Sequence, residues 1–189
     1  MNNTFDSLRR FNIPFIFASS QMSEMTHSTY GILKLIGERY THECNGKVVR
    51  FWNVYGHEKD NEKAHVITHF ISMAMRGEIK MRTNGEEQRQ FLYVKDCCEC
   101  LNILMHGFDK IENKSFDVSS FEWVRISDLA DIIASEFNRR VIPGPLADDI
   151  QRSTLNEPES YILEYWHPRT DLKTGIKFCI DDYRNNSSL

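Results

Sequence analysis

Apolar positions along the chain alternate between two periods. Phe15-Ile16-Phe17-Ala18 and Val48-Val49-Arg50-Phe51-Trp52 are short, nearly unbroken apolar runs, as expected of strands covered on both faces in a parallel sheet. Between them Leu33, Ile36, Gly37, Tyr40 and Cys44 recur at helical spacing behind Ser28, whose hydroxyl can cap a helix N-terminus. The segment from Ser28 therefore predicts an amphipathic helix. Strand, helix and strand in this order predict a right-handed βαβ unit, and with it the α/β fold class.

The remaining pattern extends this reading. Phe5, Leu8 and Phe11 make residues 4–11 a helix closed by the Asn12-Ile13-Pro14 turn. Residues 53–64 are polar and read as a loop at the carboxyl end of a strand, and residues 66–75 as a helix ending before Gly77. Residues 79–82 and 90–94 read as strands on either side of Asn84-Gly85, a hairpin signal. Asp96 can cap a helix bearing Cys97, Cys98, Cys100, Leu101 and Leu104, and residues 115–118 form a short strand. Ser127 can cap a helix over 128–137 with Leu129, Ile132, Ile133 and Phe137 on one face. Residues 142–158 hold three prolines and read as a binding loop or linker. Residues 185–188 read as a frayed tail.

Composition narrows the function classes. With 41% hydrophobic and 12% aromatic residues, 189 residues can bury an ordinary globular core. Dispersed basic residues and a net charge of −4 leave no electrostatic footprint for nucleic acid. No apolar run approaches the ~20 residues that span a bilayer, and the first residues do not form a signal peptide, so a cytoplasmic location is expected. Cys97 and Cys100 are three apart, but no second Cys/His pair at zinc spacing accompanies them, so free thiols and no metal are expected. His65 and His69 likewise lack a metalloprotease motif.

The candidate chemistry lies in the helix that follows Ser28. Tyr30 and Lys34 are four residues apart and share one face, close enough for the ammonium to favour the phenolate. Before them a strand ends in Ser19-Ser20; after them come Arg50-Phe51-Trp52-Asn53-Val54-Tyr55-Gly56 and Arg89-Gln90-Phe91-Leu92-Tyr93-Val94-Lys95-Asp96. In this order the segments resemble the extended short-chain dehydrogenase/reductases, the family of NAD-dependent nucleotide-sugar epimerases, dehydratases and reductases. The resemblance runs from about residue 12 to about residue 175. It implies hydride transfer at a sugar carbon with NAD or NADP, Tyr30 as acid/base, Lys34 at the nicotinamide ribose and Ser20 at the reacting oxygen. It also implies that Asn53 and Arg89 contact the diphosphate of a nucleotide-sugar substrate. On the residues alone, Tyr30 and Lys34 also read as an amphipathic tyrosine beside a solvated lysine, Ser20 as a strand-end turn serine and Arg89 as a solvated strand-edge charge.

Departures from the family pattern shape the expectation. None of the nine glycines falls in the Gly-x-x-Gly-x-x-Gly turn that holds a dinucleotide pyrophosphate, so only the second half of the pattern is represented. Residues 1–56 are expected to be the end of a Rossmann domain, and residues 57–189 the substrate region, with 89–105 returning to the Rossmann sheet. Gln21-Met22 stand where family dehydratases place an Asp-Glu pair, which favours an epimerase or reductase. Only ten positions separate Ser20 from Tyr30, a loop shorter than the family's, and Gln90 replaces an aspartate after the arginine. The chain by itself is expected to be inactive, and either to work with a complementary N-terminal half, to form a homo-oligomer, or to be a non-catalytic remnant or subunit that binds a nucleotide sugar or a partner chain.

Overall fold

The computed structural model describes residues 2–25, 28–58, 60, 64–148 and 156–186. The helices are α1 (Asn2–Phe11), α2 (Thr29–His42), α3 (Val66–Arg76), α4 (Val94–His106), α5 (Ile126–Phe137) and α6 (Leu172–Asn186). The strands are β1 (Phe15–Ser20), β2 (Gly46–Phe51), β3 (Asn53–Tyr55), β4 (Ile79–Lys80), β5 (Gln88–Tyr93), β6 (Ser115–Val118), β7 (Trp123–Arg125) and β8 (Val141–Ile142). Short 3-10 turns cover Gln21–Glu24 and Ser160–Glu164. These elements form two compact units, each gathered from three segments: Met1–Trp52, Lys95–Ser119 and Asn156–Pro168 in the first, and Asn53–Val94, Ser120–Leu155 and Arg169–Leu189 in the second.

The first unit is built on a parallel sheet in the order β1-β2-β6, with Phe15 opposite Gly46 and Val48 opposite Ser115. Val48, Val49, Phe116 and Val118 are fully buried, as a central parallel strand and its neighbour require. Phe5 on α1 packs against the rings of Phe15, Phe17 and Tyr40 at 5.3 to 6.0 Å between centroids. Lys47 is buried at the start of β2, where its Nζ donates to the carbonyls of Ile111 (2.6 Å) and Asn113 (2.9 Å). Those bonds fasten the segment after α4 to the sheet.

Helix α2 buries only part of the stripe that its apolar spacing marks. Gly31, Gly37, Glu38 and Thr41 are buried, Gly37 against the Phe17 ring, whereas Leu33 and Ile36 are 51% and 41% exposed. Small residues let the helix lie close on β1, and the bulky stripe is left on the outside. Ser28 caps α2 as its position predicts, accepting from the Gly31 amide at 3.3 Å.

The second unit has a sheet in the order β3-β5-β7, parallel between β3 and β5 and antiparallel between β5 and β7, and a separate parallel pair, β4-β8. Its core joins Ile67 and Ile71 of α3, Ile79 of β4, Leu129 and Ile133 of α5 and Ile176 of α6.

Several expectations are corrected here. The Asn84-Gly85 hairpin does not form: the Ile79 and Met81 amides donate to the carbonyls of Arg140 and Ile142, so β4 pairs with the later β8 and leaves β5 to β3 and β7. Residues 53–55, read as loop, form β3 because their backbone groups pair with Phe91 to Tyr93. Asp96 and Ser127 lie inside the first turns of α4 and α5 and do not cap them. The region 142–158 begins with β8 and the Thr83–Leu146 bridge, while its residues 149–155 and the tail residues 187–189 lie outside the described residues. Cys97, Cys100 and Cys179 are buried free thiols pushed up to about 12 by burial. Among the described residues, no helix is long and apolar enough to cross a membrane.

Candidate functional site

In the first unit the site is assembled where β1 ends and α2 begins. Ser20 closes β1, and its Oγ accepts from the Met22 amide at 3.2 Å, so it caps the 3-10 turn that follows. That is the turn-serine role open to it from the sequence. Gly31 then sets the distance from that turn to α2. A Cβ on Gly31 would lie 2.0 Å from the Met22 carbonyl oxygen, so only glycine lets the first turn of α2 rest there. Tyr30, one residue earlier, is thereby held beside the end of β1 and is half exposed.

Lys34 is the next turn of the same face. Its Nζ lies 5.6 Å from the centre of the Tyr30 ring and 5.5 Å from that of Phe17, and donates to the Ala18 carbonyl at 2.7 Å. The ammonium is thus pinned at the carboxyl end of β1 with its charge against the Tyr30 phenol. Tyr30 and Lys34 come together as their spacing predicts, and Ser20 lies at the end of the strand that anchors the lysine.

Beneath this lies a charged cluster that the motif reading missed. Glu38, four residues beyond Lys34, accepts from Ser19 Oγ (2.5 Å) and from Arg50 Nε and Nη2 (3.1 and 2.9 Å). Arg50 also approaches Glu24 (3.3 Å) and Asp117 (4.0 Å). Asp117 in turn accepts from the Trp52 indole and the Glu159 amide. Burial works to raise the Glu38 carboxyl, but the hydrogen bonds from Arg50 and Ser19 outweigh it and hold it below the ordinary range. Burial prevails at Asp117 and Glu24, whose carboxyls are raised despite the Arg50 charge. The signal for Glu38 was the repeat of four in Tyr30, Lys34 and Glu38; nothing local marked Asp117 as its neighbour.

The second unit carries the other two predicted residues. Asn53 opens β3 and donates from Nδ2 to the Gln90 carbonyl at 3.1 Å; Arg89 lies on β5. Both line a cavity of about 670 Å³ whose apolar wall includes Phe70, Met73, Met81, Phe91 and Ile126. Lys80, Arg82 and Arg89 bring positive charge to it, and Glu87 and Asp148 negative charge. Arg89 Nη1 donates to the Gln88 carbonyl at 2.7 Å, and Nη2 pairs with the Asp148 carboxylate. An apolar cavity with a few polar groups is the usual form of a small-molecule site. Gln90 is buried, and Asp148 is the acidic partner of Arg89. Among the described residues no group of three or more metal-ligating side chains comes together.

The profile of the NAD dependent epimerase/dehydratase family matches residues 2–119. A Methanocaldococcus jannaschii protein that bears the provisional name UDP-glucose 4-epimerase is 28% identical over 171 residues, covering 85% of this chain and 54% of that protein. An epimerase of Methanothermobacter thermautotrophicus superposes with a TM-score of 0.80 at 20% identity, over 93% of this chain and 60% of that one. A UDP-glucose 4-epimerase of Thermotoga maritima, solved with UDP-glucose, superposes with a TM-score of 0.76 at 20% identity, over 97% of this chain and 67% of that one. The chain spans about half the length of the curated relatives it matches. The structural likenesses establish a shared α/β, Rossmann-like fold.

Proposed function

Because the chain belongs to the NAD dependent epimerase/dehydratase family, we propose that it supplies the acid/base helix and the nucleotide-sugar pocket of an NAD(P)-dependent epimerase or reductase. The observation that carries this is the Tyr30–Lys34 pair: a half-exposed phenol with an ammonium fixed 5.6 Å from its ring by the Ala18 carbonyl. A neighbouring ammonium charge stabilises a phenolate, so Tyr30 can take a proton from a sugar hydroxyl and return it. Ser20 would hydrogen-bond the same sugar oxygen. In the second unit, Arg89 and Asn53 would receive the diphosphate, and the apolar wall of the cavity the base.

The fit to NAD or NADP is partial. Lys34 and Tyr30 suit the nicotinamide ribose. Among the described residues, the turns leaving the parallel strands lack the glycine cluster a pyrophosphate needs: β1 leaves through Gln21–Glu24, and β5 runs directly into α4. The diphosphate of the cofactor would therefore be held by residues other than these, in a complementary half or a partner subunit. The same observation favours a second reading, in which this chain binds a nucleotide sugar or a partner polypeptide without turnover.

A thermal-shift titration with UDP- and GDP-sugars tests the pocket. Binding should raise the melting temperature, and Arg89→Ala should remove most of the shift. An unchanged shift in the variant would remove Arg89 from the site.

A further inference from the structure

Arg89 has the features of an anion receptor whose guanidinium is taken by a carboxylate of its own chain. The side chains of Arg89 and Asp148 are 15% and 14% exposed, and they pair within the cavity that both line. Asp148 does not reach there on a loose loop. The backbone leading to it is laced to the segment after β4: the Gly144 amide donates to the Thr83 carbonyl (2.8 Å), the Leu146 amide to Arg82 (3.3 Å) and the Asn84 amide to Leu146 (2.8 Å). A Cβ on Gly144 would lie 2.2 Å from the Arg82 carbonyl oxygen, so the two backbones are already in contact. This ladder brings the carboxylate to the arginine before any ligand arrives.

We propose that Asp148 is an internal competitor for the anion site of Arg89, so that a diphosphate binds by displacing it. The inference rests on the reading of Arg89 as a diphosphate contact. A tethered carboxylate acts at an effective concentration in about the millimolar range or above. The apparent affinity of an anion that uses Arg89 falls by the fraction of time the guanidinium is open to it. The reduction is the same for every such anion and zero for a neutral nucleoside. Weakly held single anions are thereby screened out, while a diphosphate, which can also reach Lys80 and Arg82 on the cavity wall, retains useful affinity.

Isothermal titration of the wild type, Asp148→Asn and Asp148→Ser with UDP, inorganic pyrophosphate and uridine tests this. Both variants should bind UDP and pyrophosphate more tightly by about fivefold, the value of a partly exposed ion pair, with uridine unchanged. In an Arg89→Ala background the same changes should give no gain, because the competition acts through that guanidinium. Unchanged or weaker anion binding in the Asp148 variants would overturn the proposal, as would an equal gain without Arg89, which would be a general charge effect. If pyrophosphate binds and UDP does not, the nucleotide-sugar reading fails while the pyrophosphate comparison still decides the role of Asp148. If no variant binds either anion, the proposal falls with it.

Discussion

Glu38 and Arg50 form a two-pronged ion pair inside the first unit, with side chains 3% and 13% exposed and Arg50 Nη2 at 2.9 Å from Glu38 Oε2. Ser19 Oγ completes the carboxylate. Because Glu38 lies two helical turns beyond Tyr30, the pair fixes the rotation of α2 on the sheet and so the direction of the phenol. Glu38→Ala leaves a buried guanidinium short of its main partner and should cost about 3–5 kcal/mol. Urea unfolding followed by circular dichroism measures it; a loss below about 1 kcal/mol would make the pair no better than a surface one.

The same cluster predicts a pH dependence with opposing parts. Glu38 is lowered in the fold, so its contribution is present above its unfolded pKa and is lost as pH falls through the folded value. Glu24 is raised, chiefly by burial, so ionising it disfavours the fold as pH rises through the carboxylate range. Glu24→Gln should therefore melt above the wild type at pH 7, and the difference should fade as pH falls below the raised value. A melting curve lowered at pH 7 would show that Glu24 is needed by Arg50 as a partner.

Gly31→Ala tests the seat of α2. The added methyl meets the Met22 backbone carbonyl at 2.0 Å, which no rotamer can relieve, so α2 must move off the turn. A loss of about 1–3 kcal/mol is expected, the usual cost of overpacking. A variant as stable as the wild type would mean that the 3-10 turn yields instead.

Tyr30→Phe separates chemistry from binding. Assembled with a dinucleotide-binding half supplied in cis or in trans, the variant should lose turnover while holding the nucleotide sugar nearly as well. Equal turnover with phenylalanine would end the acid/base assignment.

The exposed stripe on α2, with Phe11 at the end of α1 and Ile13 just after it, should make the chain self-associate. Light scattering should report a species larger than a monomer, and Leu33→Asp with Ile36→Lys should shift it downwards. A monodisperse monomer before mutation would count against an oligomer.

Local signals read well where a segment carried its own period. The strand before Ser20, the Ser28 cap and the helix bearing Tyr30 and Lys34 all follow from neighbouring residues. What failed depended on distant partners. Asn84-Gly85 has the residues of a hairpin, yet residues 140–146 claim the adjoining amides, and no local pattern reports a competitor some sixty residues away. The inward face of α2 was obscured because, beside Gly37 of the stripe, its burial rests on Gly31, Glu38 and Thr41, which carry no hydrophobic weight. Asp148 likewise lay in a stretch with no period of its own, placed by the β4-β8 ladder and not by its neighbours.

The way each unit is gathered from three separated segments bears on how the protein comes off the ribosome. The first unit needs Ile162 and Trp166, both buried, from its last segment, Asn156–Pro168, and the second needs Ile176 of α6. At about 5–20 residues per second of synthesis, the nascent chain spends several seconds with the sheet of the first unit complete and part of its core still unmade. During that interval β6 lacks the 3-10 segment that packs on it in the finished unit, so apolar surface that is buried there stays open to water.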